Sequence, residues 1–285
     1  MNKPFPLRVI SEARAIRDYM ELRESNTEHM DMRHVGNKAT DYFFESCRIK
    51  VPVAMDSQLV SWNDPEQAVK IKDYGLRLYK KPIEQITPAQ WRAVLNLCRG
   101  AVCQFKPNIA RFLYSQIKPQ VAILDSCAGW GGRCLGAMSL DIDYIGIDIN
   151  EELNENYLKM IDLYPSNSNV QFITSDCLTI DYSQYDYDCF FTSPPYSNIE
   201  KYKGMPIYED FKGEFITPLI RNTYLNLKPG GYYCLNIPVF ILEWVTELLG
   251  DYHLAYPLKK AQRSHNGRDY AEYIYIWKKE DREET

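Results

Sequence analysis

The sequence predicts an α/β protein built on an open, mostly parallel sheet, preceded by a mainly helical N-terminal region. Three observations carry this. From residue 120 onward, short apolar runs alternate with helix-length segments, the pattern of parallel strands joined by crossover helices. The first run ends in a glycine-rich turn, Gly129-Trp130-Gly131-Gly132, that opens a helix. Asp125, Asp148 and Asp176 stand at the ends of three successive runs, where an open parallel sheet binds its ligands.

In the N-terminal part, residues 11–30 have helical spacing with Ser11 as a plausible cap. Glycines and prolines at Gly36, Pro52, Pro65, Gly75 and Pro82 interrupt the stretch to residue 85, which reads as short helices and loops. Thr87 and Pro88 open a helix that runs to about Arg99, Thr87 as the cap and Pro88 in the first turn. Another helix covers residues 107–116.

Strand one is predicted at 121–125, strand two at 144–148, strand three at 170–174, strand four at 187–192 and strand five at 232–237. Helices are predicted from Arg133 and over 151–163, 209–227 and 240–249. The last two strands, 253–258 and 271–277, are expected to pair as an antiparallel edge.

Composition bounds the function. A chain of 285 residues with 45% hydrophobic and 25% charged residues is an ordinary globular protein, large enough for one big domain with an appendage. The first residues hold no apolar signal core and no run approaches membrane-spanning length, so a cytoplasmic protein is expected. The eight cysteines include no Cys-x-x-Cys pair and have only four histidines beside them, which indicates neither a zinc site nor a disulfide framework. Residues 1–119 carry 19 Lys and Arg against 13 Asp and Glu, a balance of +6, and the remainder carries 14 against 25, a balance of −11. That asymmetry gives weak support to a polyanion-binding element attached to a catalytic part.

The chemistry converges on Ser193-Pro194-Pro195-Tyr196. An apolar strand that stops at a double proline delivers a rigid polar tip to the sheet end. The Ser193 hydroxyl and Pro194 carbonyl can accept from an amino group while the Tyr196 ring stacks on a planar heterocycle. Taken alone, Pro-Pro-Tyr is also a common loop sequence. The glycines let the backbone approach a ligand closely, and Asp148 stands where an acid can bind both ribose hydroxyls. The turn is not Gly-x-Gly-x-x-Gly, and Arg133 replaces the small residue that close helix–strand packing prefers, which disfavours a nicotinamide enzyme. No Gly-Lys-Ser/Thr loop serves phosphate transfer, and no Pro-Cys pair supplies the nucleophile of a cytosine-C5 enzyme.

These residues resemble the S-adenosylmethionine-dependent DNA amino-methyltransferases, which act on N4 of cytosine or N6 of adenine. The likeness covers about residues 103–277. The segment from Asp125 to Gly132, with Cys127, Ala128, Gly129 and Gly131, is similar to the family's cofactor loop but departs from its Phe-x-Gly-x-Gly form. Asp148 matches the ribose-binding acid, Asp176 with Cys177 the region near the cofactor's adenine, and Phe105-Lys106-Pro107 the segment near its methionine end. Ser193-Pro194-Pro195-Tyr196 matches the catalytic tetrapeptide.

The resemblance implies a Rossmann-like class I methyltransferase with a mostly parallel seven-stranded sheet and an antiparallel final strand. It implies residues 101–285 as the catalytic domain, S-adenosylmethionine as cofactor and no metal. It also implies double-stranded DNA as partner, with the target base flipped out. Serine at position 193 favours cytosine N4 over adenine N6. Target recognition is expected in residues 1–100, in the loop 197–208 and in the segment 263–268, with Lys201, Lys203, Arg263 and Arg268 as phosphate contacts. The alternatives are methylation of RNA or of a protein glutamine amide, and a nucleic-acid-binding subunit that keeps the fold without turnover.

Overall fold

A computed structural model describes residues 4–52, 56–100, 102–196, 202, 204–258 and 272–281. Its N-terminal part contains α1 (Glu12–Glu24), α2 (Asn37–Arg48), α3 (Gln58–Asn63), α4 (Pro65–Tyr79), α5 (Pro88–Arg99) and α6 (Pro107–Ile117). Local chemistry sets several starts. The Thr87 side chain accepts from the Gln90 amide while the Gln90 side chain answers the Thr87 amide, a capping box with Pro88 in the first turn. The Asp64 side chain accepts from the Gln67 amide ahead of Pro65. Ser11 occupies the cap position of α1, but its hydroxyl makes no capping bond.

Gly75, expected to interrupt, lies inside the 15-residue α4. A Cβ there would stand 2.6 Å from the Trp91 ring, so the glycine lets α4 lie against α5.

The sheet comprises β1 (Ile123–Asp125), β2 (Tyr144–Asp148), β3 (Val170–Thr174), β4 (Cys189–Thr192), β5 (Tyr232–Pro238), β6 (Leu254–Leu258) and β7 (Glu272–Lys278). The intervening helices are α7 (Gly132–Met138), α8 (Asn154–Leu163), α9 (Thr217–Asn226) and α10 (Val239–Leu249). A 3-10 turn at Glu151–Leu153 leads into α8, and a π-helical turn at Lys212–Ile216 leads into α9.

Strand order is β3-β2-β1-β4-β5-β7-β6. The first five pair in parallel, and β7 runs antiparallel between β5 and β6. This is the Rossmann-like order of the class I methyltransferase fold, as expected. β6 is the edge.

Period-two alternation divides the core. Ile123, Cys189, Phe191, Cys234, Ile274 and Ile276 face one side, and Leu124, Phe190, Tyr233, Leu235, Tyr275 and Trp277 the other. The second side is covered by α9 and α10. The first is covered by α6, α7 and α8, with α1 and α2 packed over α7 and α8, so Tyr19, Phe43 and Phe44 belong to the sheet's own core. A separate small core of Trp62, Ile71, Ile86, Trp91, Val94 and Leu95 joins α3, α4 and α5. The N-terminal hundred residues are therefore divided: α1 and α2 build onto the seven-stranded sheet's core, and α3–α5 form a satellite.

Candidate active site

A cavity of about 1190 Å³ opens at the carboxyl ends of β1, β2 and β4. Pockets for one drug-sized ligand run to about 300–1,000 Å³, so there is room for a cofactor and part of a substrate. It brings together Phe105, Cys127, Ala128, Gly129, Asp148, Asp176, Cys177 and Ser193-Pro194-Pro195-Tyr196 from the expected set. Lys201, Lys203, Arg263 and Arg268 lie outside the described residues.

Three expected cofactor residues do not line the cavity: Asp125, Pro107 and Gly131. Asp125 is fully buried. Its Oδ2 accepts from Arg133 Nε at 2.6 Å and Tyr144 Oη at 2.6 Å; its Oδ1 accepts from Thr192 Oγ1 at 2.8 Å and the Cys127 amide at 3.2 Å. With both oxygens occupied, it ties β1, β2, β4 and the glycine turn together beneath the ligand cavity. Pro107 packs in the first turn of α6 against Gly36. Gly131, at φ +74°, donates its N–H to Tyr157 Oη at 3.1 Å, and a Cβ on it would meet the Phe44 ring.

Arg133 stands where close helix–strand packing prefers a small residue, and its side chain is buried against Asp125. Burial would lower its guanidinium, but the Asp125 carboxylate outweighs this and holds it above its usual range. The guanidinium also donates to the Cys127 carbonyl and lies between the rings of Phe105 and Phe191, 5.5 and 5.8 Å from their centroids. Tyr157 completes the support by donating toward the carbonyls of Ala128 and Gly129 at 3.0 and 3.1 Å. A Cβ on Gly132 would collide with the Phe105 carbonyl oxygen, so glycine is required for that close approach.

Asp148 closes the turn from the other side. Oδ2 accepts from the Gly129 amide at 2.8 Å and Oδ1 from the Asn150 amide at 3.0 Å. Burial pushes its carboxyl up, partly offset by those two N–H bonds. Asp176 Oδ1 accepts from the Leu178 amide at 2.9 Å. The Cys177 thiol, which lines the cavity, is held well above its usual range by contact with Cys127 and by burial.

At the end of β4, Tyr196 Oη is 2.7 Å from Glu272 Oε1, 3.1 Å from the Asn236 carbonyl and 3.3 Å from Ser193 Oγ. The ring is thus anchored through its hydroxyl. Asn236 and Glu272 are not among the expected site residues, although Asn236 is a buried polar residue in an otherwise apolar strand and Glu272 a buried acid at the start of β7, and that is the signal that could have found them. The far wall comes from the N-terminal helices, including Asn37, Lys38, Arg48 and Arg92. Here Arg48 pairs with Asp41, and Arg92 with Glu45 at 2.9 Å. Tyr202, Met205 and Tyr208 of the 197–208 segment also line the cavity.

The family model for RNA cap guanine-N2 methyltransferases matches residues 120–212, about a third of the chain, from just before β1 to the start of the π-helical turn. No curated protein matches. Among solved structures, a Listeria monocytogenes protein described as a class I S-adenosylmethionine-dependent methyltransferase is 13% identical. The alignment covers 95% of this chain and 90% of that one, with a TM-score of 0.49. An rRNA methylase from Streptococcus thermophilus is 14% identical over 64% of this chain and 100% of that one, with a TM-score of 0.43. The 16S rRNA N2 G1207 methyltransferase of T. thermophilus, in complex with AdoMet and guanosine, is 18% identical over 62% and 44%, with a TM-score of 0.42.

S-adenosylmethionine fits the residues present. The backbone at Gly129 is open to close approach, Asp148 presents acceptor oxygens at the strand-two end, and Asp176 and Cys177 line the adjoining wall.

Proposed function

We propose that this protein transfers a methyl group from S-adenosylmethionine to the exocyclic amino group of a nucleic-acid base, with RNA as the favoured substrate and guanine N2 as the first acceptor to test. The observation that carries the reading is the Ser193-Pro194-Pro195-Tyr196 tip, which faces the same cavity as the Gly129 turn and Asp148. The cofactor supplies an electrophilic methyl group on a sulfonium. The chain's part is positioning: the Ser193 hydroxyl and Pro194 carbonyl accept from the amino group, and the anchored Tyr196 ring flanks the base. The RNA preference is supported by the family model over 120–212. A DNA substrate, with cytosine N4 as acceptor, keeps the likeness of the tetrapeptide behind it and is the second reading.

Incubation with tritiated S-adenosylmethionine and, separately, RNA, single-stranded DNA, duplex DNA and a protein extract tests both. RNA is expected to take the label, with N2-methylguanosine in the digested product. Label confined to DNA would replace the first reading by the second, and label confined to protein would remove both.

A further inference from the structure

Tyr196 carries one hydroxyl hydrogen, and the acceptors within its reach include Glu272 Oε1 at 2.7 Å and the Asn236 carbonyl at 3.1 Å; Ser193 Oγ lies at 3.3 Å. Glu272 begins β7, paired with Pro238 of β5 and Leu258 of β6, and its 6% exposed side chain lines the cavity. We propose that Glu272 polarises a hydrogen-bond chain, Ser193 to Tyr196 to Glu272, and is the end point for the proton released at the substrate's amino nitrogen. The inference rests on the amino-methyltransfer reading of the same site.

The direction of the chain follows from donor and acceptor capacity. A carboxylate only accepts, and a charge-assisted bond is stronger than one to a neutral carbonyl, so the Tyr196 hydrogen points to Glu272. The Tyr196 oxygen then accepts from the Ser193 hydroxyl, and the Ser193 lone pairs are left to accept an amino N–H. When the N–CH₃ bond forms and the sulfonium C–S bond breaks, the amino nitrogen holds one proton in excess. That proton passes to Ser193 Oγ as the Ser193 hydrogen moves to Tyr196 Oη and the Tyr196 hydrogen to Glu272 Oε1. The positive charge on nitrogen and the negative charge on the carboxylate cancel together. Glu272 acts through Tyr196 and is a positioning residue, whereas Ser193 touches the substrate's amino group.

Glu272→Gln separates geometry from proton acceptance, because its amide oxygen still accepts from Tyr196. With tritiated S-adenosylmethionine and a single-stranded RNA oligonucleotide containing all four bases, the single-turnover rate of Glu272→Gln should fall about a hundredfold. KM for the RNA and cofactor affinity by calorimetry should stay within about twofold. Glu272→Asp should recover part of the rate. Tyr196→Phe, which keeps the ring and breaks the chain, should fall to a similar level, and the double variant should fall no further.

In the protein without cofactor, the labelled Cζ resonance of Tyr196, assigned by its loss in Tyr196→Phe, should shift in Glu272→Gln. A wild-type rate in Glu272→Gln, multiplying losses in the double variant, or an unmoved Tyr196 resonance would each overturn the relay. Wild-type protein that labels no nucleic acid would instead overturn the functional reading beneath it.

Discussion

Asp125 and Asp148 are the same residue at the same place in neighbouring strands, yet their surroundings give them opposite tasks. Asp125 is sealed under the site by Arg133, Tyr144 and Thr192, whereas Asp148 spends one bond per oxygen on a backbone amide and stays on the cavity wall. Asp125→Asn is expected to cost about 3–5 kcal/mol of stability in denaturant unfolding, since it strands a buried guanidinium. Asp148→Ala should leave a folded protein with cofactor affinity lowered by roughly ten- to a hundredfold in calorimetry. Unchanged affinity would remove Asp148 from the cofactor site.

Acid should act on Asp148 in a defined direction. Its raised folded value means that the folded state binds the proton more tightly than the unfolded chain. Ionisation therefore carries a stability cost above that value, and the cost is relieved as pH falls through it. The ionised form accepts more strongly from a hydroxyl, so cofactor affinity is expected to weaken on acidification sooner than an ordinary aspartate would allow. Both acids were legible as strand-end residues. Their division of labour was not, because Tyr144 and Thr192 lie far off in the chain.

At the level of elements, the sheet was readable because each parallel strand is an apolar run closed by turn residues, and all seven strands fall where the pattern put them to within a few residues. Gly75 escaped the pattern for a physical reason. Its role is set by the Trp91 ring, and a single sequence offers no mark of a contact between two helices. Gly75→Ala should push that ring and cost about 1–3 kcal/mol, seen as a lowered melting temperature with little change in cofactor affinity. Gly132→Ala should do the reverse in emphasis. The Phe105 carbonyl must move away, which displaces the turn and abolishes cofactor binding while far-ultraviolet circular dichroism still reports the fold.

For the molecule as a whole, the decisive joint is between α1 and the catalytic sheet. Arg23 donates to both Asp141 oxygens at 3.1 and 2.8 Å and to the carbonyls of Met138 and Pro165, while Tyr19 stacks on Tyr164 at 4.7 Å. The Arg23 hydrogen bond pulls the Asp141 carboxyl down to about 2. Because the folded value is depressed, this contribution is complete above the ordinary aspartate value of about 4 and is lost as pH falls toward 2. After discounting for partial exposure it is worth about 1–2 kcal/mol. Arg23→Met should flatten that limb of an acid-unfolding curve. The helical composition of the N-terminal part was visible in the sequence. Its partition was not, since the partners of Tyr19 and Arg23 lie more than a hundred residues away.

The insertion of β7 between β5 and β6 also sets an order of assembly during synthesis. Glu272 lies 76 residues beyond Tyr196 and leaves the ribosome after it. Until then the nascent β5 presents an unpaired edge, and Tyr196 lacks the carboxyl group that anchors it. A chain stopped before β7 would hold the glycine turn and the tetrapeptide and still lack both the strand that covers β5 and the carboxyl group that anchors Tyr196.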